Sequence, residues 1–203
     1  VPATNDAGCS IGSVINFRIK NNLNINNKSL STPYLGFNFS NDNIREAFQS
    51  LNLPIPKKFE NKEIIRMTAN ALIDKKIIAW YQGKSEFGPR ALGNRSFLAD
   101  PRDDSIRDIL NDKIKKRELF RPFAPSILED HLYNYFDIDQ MSPYMSLTAK
   151  VKTDKQKLIP AVVHVDSTSR IHTVSKNLNP MYYSLINKFY NITNVPVLLN
   201  TSF

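Results

Sequence analysis

Two arginines five residues apart, Arg90 and Arg95, sit in the stretch GKSEFGPRALGNRSFLADPR, residues 83–102. The stretch also holds three of the chain's six glycines and Pro89. Glycine lets a backbone approach a ligand closely, and proline fixes the turn that presents it. Guanidinium groups add planar, bidentate donors suited to phosphate or carboxylate. A loop of this make-up is a reasonable phosphate-binding element, and a tight solvated turn with two surface arginines is the alternative. A second basic segment, KKRELFRPFAP (residues 115–125), supplies Lys115 and Arg121. Its cations alternate with Phe120 and Phe123, and Pro122 and Pro125 preclude a regular helix. The plainer reading is a basic solvated loop whose aromatics plug into the core. Arg170, Asn200 and Ser202 complete the set. Five cations with two small polar groups suit a nucleotide plus a second anion. The cations neutralise phosphates and stabilise charge that develops as a phosphoanhydride breaks. Hydroxyl and amide groups orient the remaining acceptors.

Other chemistries find less support. Neither a Walker loop nor a GxGxxG fingerprint fits the glycine spacing. The three histidines, His131, His164 and His172, are scattered, and the lone Cys9 lies near the amino terminus. They build no metal site, and no Ser-His-Asp arrangement is readable from sequence order. His164 alternates with apolar neighbours, as a core or strand histidine does.

The elements that must carry these residues follow from periodicity. Ile77–Tyr81 is a short β-branched and aromatic run, predicted as a buried strand that empties into the glycine-rich loop. Ahead of it, residues 60–75 form an amphipathic helix with Ile65, Ala69, Leu72 and Ile73 on one face. A shorter helix is predicted from an Asp42 cap through Leu51. Asp103 or Asp104 caps another, with Ile106, Ile109 and Leu110 sharing a face. Residues 126–128 and 144–151 read as strands, and 162–174 as strand, turn, strand, with Arg170 opening the returning strand. Asn179-Pro180 is an N-cap and N1 pair for a helix carrying Tyr182, Leu185, Ile186, Phe189 and Tyr190. Val195–Leu199 is a buried strand that delivers Asn200, Thr201 and Ser202 at its end, where open α/β sheets gather ligands. Residues 1–15, with Asp6-Ala7-Gly8 and Gly12, look like a loop entering a helix. Residues 17–43, rich in asparagine and serine, read as a solvated connector.

At 203 residues the chain suits one substantial α/β domain with room for a fragment of a second. The formal net charge of +8 points to anionic partners: nucleotides, phosphorylated metabolites or nucleic acid. One cysteine allows no internal disulfide and favours an intracellular, cytoplasmic location. No run of 18 apolar residues is present, so no membrane partner is expected. The chain reads as a piece of a longer protein.

Four segments carry a family resemblance: GKSEFGPRALGNRSFLADPR, LNDKIKKRELFRPFAPSIL, HVDSTSRIHTV and VPVLLNTSF. In this order, from about Ile44 to Phe203, they resemble the carboxy-terminal domain of the O-carbamoyltransferases that modify nodulation factors, aminoglycosides and cephalosporin-type antibiotics. The resemblance implies a YrdC-like α/β domain, a twisted mixed sheet flanked by helices, over residues 44–203. It implies that carbamoyl phosphate and ATP yield carbamoyl adenylate for transfer to a hydroxylated acceptor. On that basis Lys115 and Arg121, in the KxREx2R pattern, would hold the carbamoyl and phosphate groups. Arg90 and Arg170 would contact the nucleotide, Asn200 and Ser202 would complete the pocket, and Arg95 is carried over with them. ATP chemistry usually uses magnesium, but the sequence does not show whether the ion is present here, and no dedicated carboxylate site is evident.

VPATNDAGCSIGSV likewise resembles the last stretch of an actin/Hsp70-like partner domain, so residues 1–16 would be its tail and 17–43 a linker. Asp6 would be a remnant ligand there, and iron or another divalent metal would belong to that domain alone. Two departures stand out. His172 occupies a position where glutamine is expected, and the sequence stops just after NTSF, so a wall of the pocket is expected to be missing. A nucleic-acid module is the competing reading, because the YrdC fold is associated with RNA and Phe120 and Phe123 interleave with cations. Glu86, Asp100, Asp103, Asp104 and Glu118 among those cations weigh against it. A structural domain without its own site is the third reading.

Overall fold

The computed structural model of the chain describes residues 3, 5–25 and 32–203. Val1, Pro2 and Thr4 of the amino-terminal segment, and residues 26–31 of the connector, lie outside the described residues.

After a 3-10 turn at Asp6–Gly8 come three helices, α1 (Cys9–Lys20), α2 (Asn41–Ser50) and α3 (Asn61–Ile73). Then follow β1 (Ile78–Tyr81), β2 (Arg95–Ala99) and the short α4 (Ser105–Ile109), which runs into a π-helical turn, Leu110–Lys115. Next are β3 (Ala124–Leu128), α5 (Leu132–Tyr135), β4 (Phe136–Asp137), β5 (Leu147–Val151) and α6 (Thr153–Gln156). The chain then forms β6 (Thr168–Val174), α7 (Pro180–Thr193) and β7 (Val197–Ser202).

Among the described residues, seven strands form one mixed sheet in the order β1-β2-β7-β3-β6-β5-β4. Only β3 and β6 run parallel; the other pairings are antiparallel. The last strand in sequence therefore sits between β2 and β3. A strand flanked on both sides and packed on both faces should read as a continuous apolar run, and Val195 to Leu199 does. Helices α3 and α7 pack on each other and against the sheet, joining one core through Leu72, Leu98, Ile127, Ile171, Leu185 and Phe189. Each such buried side chain contributes roughly 1.5–3 kcal/mol of transfer free energy. The α/β class, the mixed sheet and the flanking helices are as the sequence predicts.

Local differences have identifiable causes. The cap of α2 is Ser40 rather than Asp42: Ser40 and Asn43 exchange side-chain and backbone bonds in a reciprocal capping box. Residues 162–174 hold one strand, not two. His164 and Thr168 close a tight turn, and the residues before it form a 3-10 turn at Pro160–Val162. Ile109 turns partly outward, because the π-helical turn that follows shifts the apolar face. Phe17–Lys20 complete α1 rather than opening a connector.

The largest difference concerns Pro33–Phe39, read from sequence as part of a solvated connector. This strap lies along the glycine-rich loop in a short backbone ladder. Phe87 N donates to Pro33 O (2.7 Å), Gly36 N to Ser85 O (3.0 Å) and Ser85 N to Phe37 O (3.1 Å). A side chain at Gly36 would crowd the loop: its Cβ would fall 1.8 Å from Ser85 Oγ, which would have to rotate away, and 3.1 Å from the Ser85 carbonyl oxygen. No apolar periodicity marks the strap, although Pro33 is buried and Tyr34 packs against the cluster of Leu92, Ala124 and Met145.

Candidate functional site

The glycine-rich loop between β1 and β2 is cross-linked from within. Glu86 Oε1 accepts from the backbone N–H groups of Leu92 (2.7 Å), Asn94 (2.9 Å) and Arg95 (3.2 Å). Arg95 donates to the carbonyls of Gln82, Gly83, Asn94 and Phe37, and its guanidinium lies 3.5 Å from the Tyr81 ring centroid. Below the loop, Gln82 Nε2 bridges Asn94 Oδ1 (2.8 Å) and Asn179 Oδ1 (2.6 Å). Asn179 Nδ2 donates to Tyr34 Oη, which donates to Leu92 O, both at 2.9 Å. Burial pushes the Tyr34 phenol well above its ordinary pKa, so it stays a donor. Gly93 closes the assembly at φ +92°, where a Cβ would meet the buried Tyr182 ring at 2.2 Å.

What this framework presents is Arg90. Two adjoining clefts share Pro89, Arg90, Met145 and Arg170 as walls. One, about 140 Å³, is lined further by Pro33, Phe87, Leu92, Tyr144 and Ser146. The other, about 120 Å³, reaches Arg117, Phe123, Asn200, Thr201 and Ser202. No carboxylate lines either one among the described residues. The second cleft opens where β3 and β6 begin and β7 ends, so strand ends do gather the site, although two of the three are amino-terminal ends.

Arg170, on β6, has its Nε buried without a hydrogen-bond partner. Burial, and then the positive charges of Arg90 and Arg117, hold its guanidinium down at about 10. Asn200 on β7 is 1% exposed; its Nδ2 donates to Ala91 O and Ser126 Oγ (both 2.9 Å), while Oδ1 is buried and unpartnered. Ser126 Oγ in turn bonds His172 Nδ1 at 2.9 Å. Burial drives the His172 imidazole down to about 3, so the ring is neutral and serves as a support beneath Asn200. Lys115 Nζ donates to Ser202 O (2.6 Å) and Oγ (3.3 Å), which places it against the end of β7. Burial, and then Arg117, lower its pKa.

The structure thus brings together Arg90, Arg170, Asn200 and Ser202, with Lys115 adjoining them through Ser202. Arg121 is placed elsewhere, in a half-exposed pair with Glu118 (2.7 Å). Arg95 is also elsewhere, spent on loop carbonyls. Of the two aromatics in the second basic segment, Phe123 enters the core at 3% exposure while Phe120 stands out at 82%. Asp6 is exposed, and among the described residues no three His, Cys, Asp or Glu side chains gather as a metal site. Among the same residues no helix is long and apolar enough to cross a membrane. Sequence reasoning passed over Arg117, although it lies inside the same KxREx2R pattern. It also passed over Tyr34 and Pro33, for which no local signal exists.

Comparison with known proteins decides the kinship of this site. The model of the family described as "Carbamoyltransferase C-terminus" matches residues 69–203. The chain belongs to that family. It is 40% identical over 210 aligned residues to the nodulation protein NolNO of Sinorhizobium fredii, covering all of this chain and 30% of that protein. It is 38% identical to the nodulation protein NolO of Bradyrhizobium diazoefficiens, covering all of this chain and 37% of that one. A solved structure of full-length HypF in its phosphate- and nucleotide-bound form aligns over 72% of this chain and 18% of that chain, at 19% identity and a TM-score of 0.47. The chain spans about a third of the length of the curated relatives it matches. The carbamoyltransferase resemblance read from the four segments is therefore confirmed at the level of family.

Proposed function

We propose that this chain is the part of a longer O-carbamoyltransferase that binds ATP and carbamoyl phosphate and forms carbamoyl adenylate. The observation that carries the reading is the pair of clefts sharing Arg90 and Arg170, guanidinium groups without a carboxylate partner among the described residues. Cations held apart from carboxylates retain their donors for an incoming anion. Each cleft alone is small for a nucleotide, so a nucleotide would extend across both. The phosphates would lie at the shared arginines, and the nucleoside toward Phe87 and Tyr144.

Atoms balance in two steps. Carbamoyl phosphate loses inorganic phosphate to water, and the resulting carbamate oxygen attacks the α-phosphorus of ATP, expelling pyrophosphate. Lys115, already aimed at Ser202, would hold the carbamate as its charge shifts toward the new bond. Arg121 would join on binding. Its exposed pair with Glu118 is worth at most about 1 kcal/mol, so a phosphate can take the guanidinium from it. Asn200 would orient a donor on the ligand with its unpartnered Oδ1, and Ser202 would give a hydroxyl contact. Arg95 serves the site by shaping the loop. The clefts offer magnesium no carboxylate, so no protein ligand is assigned to it. The hydroxylated acceptor would be bound by an actin/Hsp70-like domain elsewhere in the longer protein, with residues 1–16 as that domain's tail.

Calorimetric titration of this chain with ATP and AMP, with and without carbamoyl phosphate, tests the reading. Micromolar nucleotide binding is expected, falling about tenfold or more in Lys115→Ala when carbamoyl phosphate is present. Equal binding by wild type and Lys115→Ala under those conditions removes Lys115 from the site. A second reading draws on Phe120, exposed beside Arg121 as a stacking platform for single-stranded RNA would be. Oligonucleotide binding that falls steeply with salt would favour it over the first.

A further inference from the structure

We propose that Tyr34 is a positioning residue that latches the strap onto the glycine-rich loop, so that docking of the strap and filling of the cleft strengthen each other. The inference rests on reading the cleft as a ligand site.

The strap has little of its own to hold it. Leu35, Phe37 and Phe39 stand 44%, 82% and 52% exposed. Its backbone ladder to the loop has three bonds, to which Arg95 Nη2 adds a contact with Phe37 O at 3.3 Å. A short segment tied in this way opens readily, since few buried apolar contacts oppose local opening. Two adjacent residues differ from the rest. Pro33 is buried, and Tyr34 packs on the cluster of Leu92, Ala124 and Met145. The Tyr34 hydroxyl is spent on both sides, accepting from Asn179 Nδ2 and donating to Leu92 O. Burial keeps the phenol protonated, so the donation persists at neutral pH.

Both partners of that hydroxyl belong to the surroundings of the cleft. Leu92 lines it, and Glu86 already grips the Leu92 N–H. Ala91 gives its carbonyl to Asn200, so Tyr34 supplies a third tie to residues 90–92, the segment that carries Arg90. Asn179 caps α7 by accepting from the Tyr182 N–H (3.2 Å), and it meets Gln82 and Asn94 beneath the loop. The strap also gives the cleft a surface of its own. Pro33 lines it beside Phe87, whose N–H donates to Pro33 O. Undocking the strap therefore removes one wall and loosens the carbonyl behind another. A ligand that touches both walls binds the docked form better, and by thermodynamic reciprocity it holds the strap in place. The strap lies at the far end of the connector from α1, so an occupied cleft fixes the connector and an empty one leaves it free to open.

Hydrogen exchange at the amides of residues 36 and 85, with ATP affinity measured by calorimetry, decides the matter. Gly36 and Ser85 line neither cleft, so protection there reports the strap and not cover by the ligand. Saturating ATP should slow both amides about threefold or more in wild type. Tyr34→Phe keeps the ring and loses both hydroxyl bonds. Both amides should then exchange about tenfold faster, and ATP should bind about fivefold more weakly. Thr193→Val is the control: it also removes a hydroxyl with two bonds, to Phe189 O and from Val195 N, near the other end of α7. It should change ATP affinity by less than about twofold. Gly36→Val crowds Ser85 while leaving the phenol intact, and it should copy Tyr34→Phe. Amides indifferent to ATP that binds, or equal ATP affinity in Tyr34→Phe and Thr193→Val, overturns the latch and leaves the cleft reading intact. So does full ATP affinity in Gly36→Val once its amides exchange as fast as those of Tyr34→Phe. No ATP binding by wild type overturns the cleft reading and this inference with it.

Discussion

Two loops bring arginines to the same cleft by opposite means. The glycine-rich loop is fixed from every side: Glu86 collects three backbone N–H groups, Arg95 ties four carbonyls, and the strap Pro33–Phe39 runs alongside. The arm from Lys116 to Pro122 hangs mainly on one residue, Asn111, and leaves Leu119 and Phe120 in solvent. The first design pre-sets a ligand contact and spends its polar groups internally. The second leaves Arg121 in an exposed pair with Glu118 alone. Under the proposed function, a cleft that holds a nucleotide and also admits a second anion would gain from having one wall of each kind, because preorganisation lowers the ordering cost of binding while a movable arm permits entry.

The comparison can be broken most severely at Gly93. Gly93→Ala forces a methyl group into the Tyr182 ring at a left-handed φ, and the loss should be about 3–5 kcal/mol of stability, read by denaturant unfolding. A loss below about 1 kcal/mol would show that the loop yields, and the rigid half of the contrast would fail.

Asn111→Ala probes the arm. Two carbonyls and one Arg117 donor lose their partner, for an expected loss of about 2–3 kcal/mol in stability. Protease cleavage between Lys116 and Arg121 should accelerate while cleavage within residues 83–95 stays as in wild type. Equal acceleration in both would mean that the two loops open as one unit.

The smallest effect is a slope. His172 has its ordinary value near 6.5 in the unfolded chain and about 3 in the fold. Its contribution is therefore complete above pH 6.5 and is lost as pH falls toward 3, because only the unfolded chain takes up the proton. Stability should decline by as much as about 1.4 kcal/mol per pH unit in that window. His172→Gln keeps a polar partner for Ser126 and should flatten the slope, as measured by denaturant titrations at pH 7 and pH 5. An unchanged slope would assign the acid sensitivity to other groups.

Legibility in the sequence followed the range of the interactions. Helix α3, helix α7 with its Asn179-Pro180 start, and the buried strand β7 were readable because periodicity and capping are local. The convergence of Arg90, Arg170, Asn200 and Ser202 was anticipated, because the segments carrying them resemble one family and end in strands. The strap was invisible, since backbone ladders leave no side-chain pattern. The departure of Arg95 and Arg121 from the cleft was equally hidden: both are arginines in basic loops, and only the fold shows which carbonyl or carboxylate each one meets. Arg117 was hidden by the reverse error, its side chain being turned inward by a left-handed lysine, Lys116, that no propensity announces.

The position of β7 has a consequence for how the molecule is made. Within the sheet, the β1–β2 pair and the β3–β6–β5–β4 group are joined through this strand, which is synthesised after the other six. Until it emerges, β2 and β3 each present an open edge, the kind of surface through which nascent chains associate wrongly. Because Asn200 and Ser202 ride on the same strand, the step that seals those edges also installs two cleft residues. A chaperone that shields the half-made sheet would thus be guarding the binding cleft before it exists.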